Sequence, residues 1–226
     1  VRLCVGFDLD MTLIDPRPGM VVAMDRLAEE TGYAFDGERF AANLGPPLAS
    51  VLREFGAPAD RIGDLVSRFR ADYPDVVVPR TVALPGAEAA LAAVRAAGGR
   101  ALVVTGKYAP NAARHLAALG WSDHVDELVG DLWAAGKATA LTAHGAQIYV
   151  GDHTGDVEGA RAAGAIGVGV ATGPCSPAEL RDAGAHTVLG SLAEFPGWLE
   201  SVFGGSPSVS GNPSGTGTAG PVEPLR

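Results

Sequence analysis

Residues 3–15 read LCVGFDLDMTLID: an unbroken apolar run ending at Phe7, two aspartates one residue apart, then a threonine. A short continuous apolar run predicts a strand buried on both faces. Asp8 and Asp10 leave that strand at a spacing of two, which puts their carboxylates on one side of an extended chain. The pattern recurs downstream. Residues 101–104 lead into Thr105 and residues 148–151 into Asp152, while residues 166–170 and 187–189 are two further strand candidates. Between them, residues 87–97, 109–119 and 156–163 have helical spacing, with Leu91 and Val94 or Leu116 and Leu119 on the apolar side. Gly98, Gly99, Gly120 and Gly164 follow, where a left-handed helix stop is expected. Strands alternating with helices predict an α/β fold, a Rossmann-like parallel sheet covered on both faces.

The stretch 17–80 breaks this alternation. Met20, Met24, Leu27 and Ala28, then Leu48, Val51, Leu52 and Phe55, then Ile62, Leu65, Val66, Phe69 and Tyr73 recur at threes and fours, with Gly45-Pro46-Pro47 and Ala57-Pro58 separating them. The expectation is an inserted helical cap domain at 17–80 and a core made of 1–16 and 81–203. Residues 204–226 are dominated by Gly, Ser, Pro and Thr and predict a disordered tail, because few apolar groups remain to offset ordering entropy.

A chain of 226 residues, 47% apolar, suffices for one full domain plus such an insertion. The net charge of −9 argues against a nucleic-acid backbone or an anionic membrane surface as partner. No run of 18 apolar residues occurs, and the first residues lack the features of a signal peptide, so the expected location is cytoplasmic. Cys4 and Cys175 form neither a disulfide framework nor a metal-ligand spacing. Lys107 and Lys137 are the only lysines among 17 basic residues. Either a compact ammonium is required at those two places, or the arginine preference reflects the coding bias of a GC-rich bacterial genome.

In an open parallel sheet, ligands bind outside the carboxyl ends of the strands. Asp8 with Asp10, Thr105, and Asp152 with Asp156 all fall at such ends. Carboxylates gathered there repel one another unless a cation sits among them, and hard oxygen donors select Mg²⁺.

The segments FDLDMTLID (7–15), VVTGK (103–107), GKATA (136–140) and VGDHTGD (150–156) resemble the four ordered motifs of the haloacid dehalogenase superfamily. The helical insertion, with NLGPPL (43–48), FRADY (69–73) and LPG (84–86), resembles its phosphoglycolate-phosphatase-like branch. The resemblance implies a Mg²⁺-dependent phosphatase acting on a small phosphomonoester metabolite. Asp8 would be the nucleophile that forms an aspartyl-phosphate, and Asp10 the acid and base. Asp8, the Asp10 carbonyl, Asp152 and Asp156 would serve the metal. Thr105, Gly106 and Lys137 would bind the phosphoryl group, with Thr105 and Lys137 counted as catalytic. Asp10 disfavours the dehalogenase and phosphonate-cleaving branches, which lack it. A sugar-phosphate mutase of the same superfamily, a signalling receiver module and a non-catalytic scaffold are the rival readings.

Three positions depart from the family pattern. Met11 replaces the usual glycine and predicts a bulky group near the cap entrance. Gly106 replaces an asparagine and removes a polar contact, and Ala138 replaces a proline. Outside the motifs, Lys107 is read either as a phosphate contact or as a surface lysine starting a helix. His153 is expected to point away from its acidic neighbours, and Tyr73 and Phe69 to be cap core. Thr12 is expected to hold the turn. Arg17, Asn43 and Arg70 could read the substrate's organic half from the cap, but the reading preferred for each is a solvated or structural residue.

Overall fold

The computed structural model describes residues 2–203, so the expectation of a disordered tail lies outside the described residues. Among the described residues eight strands occur: β1 (Cys4–Phe7), β2 (Ile14–Asp15), β3 (Val82–Ala83), β4 (Arg100–Val104), β5 (Glu127–Val129), β6 (Ile148–Gly151), β7 (Ile166–Val170) and β8 (Thr187–Leu189). Six of them form one parallel sheet in the order β5-β4-β1-β6-β7-β8. The chain leaves β1 for β4 on one side and later returns to β6 on the other. That reversal opens the crevice at which such sheets bind ligands.

Alternation along the strands sorts the core into two layers. Val5, Phe7, Val103 and Val150 face one side, packed on α5 (Ala87–Ala96), α6 (Ala109–Ala118) and α10 (Phe195–Phe203). Cys4, Leu102, Val104 and Tyr149 face the other, packed on α7 (Lys137–Ala143) and α8 (Thr154–Ala163). Helix α9 (Pro177–Asp182) precedes the edge strand β8. Gly6 permits a close approach: a Cβ there would lie 2.8 Å from the Tyr149 ring and 2.9 Å from Leu141. The Tyr149 ring therefore lies across β1 and carries its hydroxyl towards the strand ends.

Residues 17–80 fold as α1 (Arg17–Thr31), α2 (Gly37–Ala42), α3 (Leu48–Glu54) and α4 (Ile62–Val76). Asp36 caps α2 by accepting a hydrogen bond from the Arg39 amide at 2.9 Å. These helices gather a separate apolar cluster that includes Met24, Leu52, Leu65 and Phe69. The chain enters and leaves them through a two-stranded antiparallel pair, with Ile14 opposite Ala83 and Asp15 opposite Val82.

Met11 belongs to that helical cluster, 2% exposed. Its backbone is left-handed at φ 59°, the conformation that favours glycine and costs an L residue about 1 kcal/mol. Apolar packing compensates the strain. Met11 is also absent from the walls of the cavity beside the strand ends, so its bulk packs among the inserted helices and not into that space.

Candidate active site

The register Phe7 opposite Val103 and Val150 brings three strand ends level. Asp8 follows β1 directly and its amide donates to the Val150 carbonyl at 2.8 Å. Thr105 follows β4, Asp152 follows β6, and Asp156 stands in the first turn of α8. Oxygen atoms of Asp8, Asp152 and Asp156 all lie within 4.8 Å of one another, and all three side chains are buried.

Lys137, at the start of α7, is fully buried among them. Its Nζ lies 2.6 Å from Asp156 Oδ1 and 3.0 Å from Asp8 Oδ1, and donates to the Tyr149 hydroxyl at 2.9 Å. Burial works to lower the Lys137 pKa, but Asp156 and Asp8 together outweigh it and the ammonium is held more firmly than usual. Asp156 also accepts from the His153 amide at 3.0 Å.

Burial, followed by the charges of Asp156 and Asp8, pushes Asp152 well above the ordinary carboxylate range. Burial likewise raises Asp156, against the opposing pull of Lys137. One ammonium thus faces three carboxylates, and further positive charge would relieve them. Two features fit a cation. Asp8 Oδ1 is at ion-pair distance from Lys137 but lacks hydrogen-bond geometry, so it is a buried oxygen with no hydrogen-bond partner among the described residues. Asp152 is cradled by a glycine: a Cβ on Gly173 would stand 1.8 Å from Asp152 Oδ2. A set made only of carboxylate oxygens suits a hard divalent ion. Thr12, expected to hold its own turn, instead donates its hydroxyl to Asp152 Oδ1 at 2.7 Å. It fixes one lone pair and leaves Oδ2 on the glycine side.

Asp10 sits apart from this trio. Its Oδ2 lies 2.8 Å from Lys107 Nζ, while Oδ1 has no hydrogen-bond partner among the described residues. Burial raises the Asp10 pKa against the lowering influence of Lys107. Lys107 is 9% exposed, which settles its reading against a surface lysine; its ammonium also donates to the Tyr73 hydroxyl. Tyr73 in turn lies 2.8 Å from His115 Nε2. Burial and the nearby Lys107 lower the His115 pKa to about 3, so the ring that shares a hydrogen bond with the tyrosine hydroxyl is neutral. The chain Asp10, Lys107, Tyr73, His115 thus runs from the strand ends through α4 to α6. Tyr73 packs in the cap as expected, but its hydroxyl role was not anticipated.

Thr105 is 1% exposed, and its hydroxyl accepts from the Lys107 amide at 3.3 Å. Gly106 lines a cavity of about 180 Å³ between the strand ends and the helical insertion, together with Asp10, Phe69, Tyr73, Lys107 and Trp133. A Cβ on Gly106 would lie 3.2 Å from the Gly45 carbonyl and 3.5 Å from the Trp133 ring. The space an asparagine would need is partly taken by an indole.

Other candidates fall outside the cluster. His153 caps α8, its Nδ1 accepting from the Gly155 amide at 3.0 Å, and it packs on Trp133 with ring centroids 5.0 Å apart. Arg17 pairs with Asp15 at 2.6 Å, and Asn43 donates to the Arg39 carbonyl at 2.9 Å. Arg70 does line the cavity. Tyr149, Trp133 and Gly173 join the site without a motif to mark them.

A sequence profile of the haloacid dehalogenase-like hydrolases matches residues 5–170, and the chain belongs to that family. Within it the chain is similar to phosphoglycolate phosphatases. One, plasmid-borne in Cupriavidus necator, is 34% identical over 86% of this chain and 92% of its own length. Another, from Caulobacter vibrioides, is 31% identical over 85% of this chain and 88% of its own. Among solved structures, a haloacid dehalogenase-like family hydrolase from Streptococcus pneumoniae superposes with a TM-score of 0.77 at 22% identity, covering 88% of this chain and 98% of its own. That likeness bears on the fold alone. Among the described residues no helix is long and apolar enough to cross a membrane.

Proposed function

We propose that this haloacid dehalogenase-like phosphatase cleaves a small phosphomonoester through an ester on Asp8, with Mg²⁺ held by Asp8, Asp152 and the Asp10 carbonyl and with Asp156 beside them. The observation that carries the reading is the buried trio of carboxylates around Lys137, with one Asp8 oxygen lacking a hydrogen-bond partner. When bound, the ion offsets the carboxylate charge and draws electron density from the phosphoryl oxygens.

The Asp8 carboxylate attacks phosphorus and the bond to the leaving oxygen breaks. Asp10, its acidity weakened by burial, gives its proton to that oxygen and the alcohol departs. Water then attacks the Asp8 phosphoester, Asp10 takes the proton, and phosphate and the free carboxylate return. Lys137 and Thr105 are assigned to the phosphoryl oxygens, and Gly106 to its approach. Residues 17–80 serve as the cap that excludes water while the ester exists. The names of the curated relatives point to phosphoglycolate as a candidate substrate. The mutase alternative is less well supported, because the cavity walls are mainly apolar where a sugar needs polar partners.

Replacing Asp8 with Asn removes the nucleophile with little change in shape. Turnover of p-nitrophenyl phosphate is expected to fall by several orders of magnitude with an unchanged melting profile. Retained turnover in a folded Asp8→Asn protein would refute the assignment.

A further inference from the structure

The cavity beside the strand ends has walls whose chemistry does not suit a carboxylated leaving group. Its charged lining consists of two cations, Lys107 and Arg70, and two carboxylates, Asp10 and Asp131. Both cations already have partners. Lys107 lies 2.8 Å from Asp10 and donates to Tyr73. The Arg70 guanidinium carbon lies 3.8 Å from the Tyr108 ring centroid, with its Nη2 3.5 Å from Asp131. A carboxylate entering here would have to compete with Asp10 and Tyr73 for Lys107 and with Asp131 for Arg70, and would lose hydration against an otherwise largely apolar wall.

Apart from Asn111, the remaining surface is apolar and aromatic. Phe69 and Tyr73 come from α4, Leu48 from the start of α3, and Trp133 from the loop before Lys137. Gly106 leaves that wall without a polar side chain where the indole lies close by. A cavity of about 180 Å³ is too small for an extended metabolite and larger than a two-carbon acid requires.

We propose that the leaving group is an uncharged, largely apolar alcohol of about the size of benzyl alcohol, so that the preferred substrates are its phosphomonoesters and not phosphoglycolate. This rests on the phosphatase reading and narrows its substrate.

The test compares kcat/KM of the full chain with Mg²⁺ for benzyl phosphate and phosphoglycolate, whose leaving oxygens are both on unactivated carbon. Benzyl phosphate is expected to be favoured by about tenfold or more, the scale on which hydrophobic pockets discriminate. Equal or better use of phosphoglycolate overturns the proposal. Leu48→Arg, which adds an uncommitted cation to the wall, is expected to shrink the preference by about tenfold through a lower KM for phosphoglycolate. If no phosphate is released even from p-nitrophenyl phosphate, the phosphatase reading fails by itself, and calorimetry still decides the cavity's chemistry. Tighter binding of benzylphosphonate than of phosphonoacetate upholds the inference, and the reverse order overturns it.

Discussion

Lys137→Met removes the single ammonium buried among Asp8, Asp152 and Asp156 while keeping an unbranched side chain at the start of α7. Lys137 serves two of these carboxylates at 2.6 and 3.0 Å. Two unit charges about 4 Å apart interact by roughly 4 kcal/mol at an effective dielectric of about 20. Stranding the partner of a buried pair costs about 3–5 kcal/mol. With two partners stranded, the loss in urea unfolding at pH 7 with a chelator present is expected at the upper end, about 5 kcal/mol. That is comparable to the whole stability of many domains. Added Mg²⁺ should recover part of the loss, because the variant site is more negative and binds the cation more tightly. Lowering the pH should do the same, since burial already raises Asp152 and Asp156 and protonation relieves their repulsion. Unfolding curves with and without Mg²⁺ at pH 7 and 5.5 measure all three effects. A destabilisation under about 1 kcal/mol in chelator at pH 7, typical of an exposed ion pair, would refute the account of Lys137 as the charge that makes this cluster tolerable.

The remaining predictions concern its surroundings. Gly173→Ala would drive a methyl group into Asp152 Oδ2 and is expected to weaken Mg²⁺ binding by about 10-fold or more, read by calorimetry; unchanged affinity would refute the cradle. His115, with its folded pKa lowered to about 3, contributes stability that is present above its unfolded value near 6.5 and lost as pH falls from there towards 3. Between pH 6.5 and 5.5 this group alone should cost about 1 kcal/mol. His115→Gln should abolish that share in paired urea titrations, and an identical pH dependence in both proteins would contradict it.

Much of this arrangement was legible because local chemistry announced it. Four of the six sheet strands contain continuous buried runs, and the polar residues that end three of them sit at the strand ends, as period-two alternation requires. Strand β5 was missed because it has three residues, lies at the sheet edge and starts with an exposed glutamate. The pairing of β2 with β3 was missed because two-residue strands carry no periodicity. Within the site, Asp8, Thr105, Lys137, Asp152 and Asp156 fall in motifs. Lys107 does not declare its partners, because Tyr73 is contributed by a helix 34 residues earlier in the chain. Gly173 and Trp133 act through close approaches made only by the folded chain. Met11 shows the converse: the departure from glycine was visible, but its compensation by helical packing was not.

The crossing at Ile14–Asp15 and Val82–Ala83 has an architectural consequence. Seen from the sheet, the four helices of the insertion hang from one two-rung clasp, so their outward and return paths occupy neighbouring positions. Whole helices can lengthen, shrink or be exchanged beyond the clasp without altering the registry of the strands beneath it. Such a scaffold can acquire new preferences for what it cleaves while the machinery for breaking the bond stays in place.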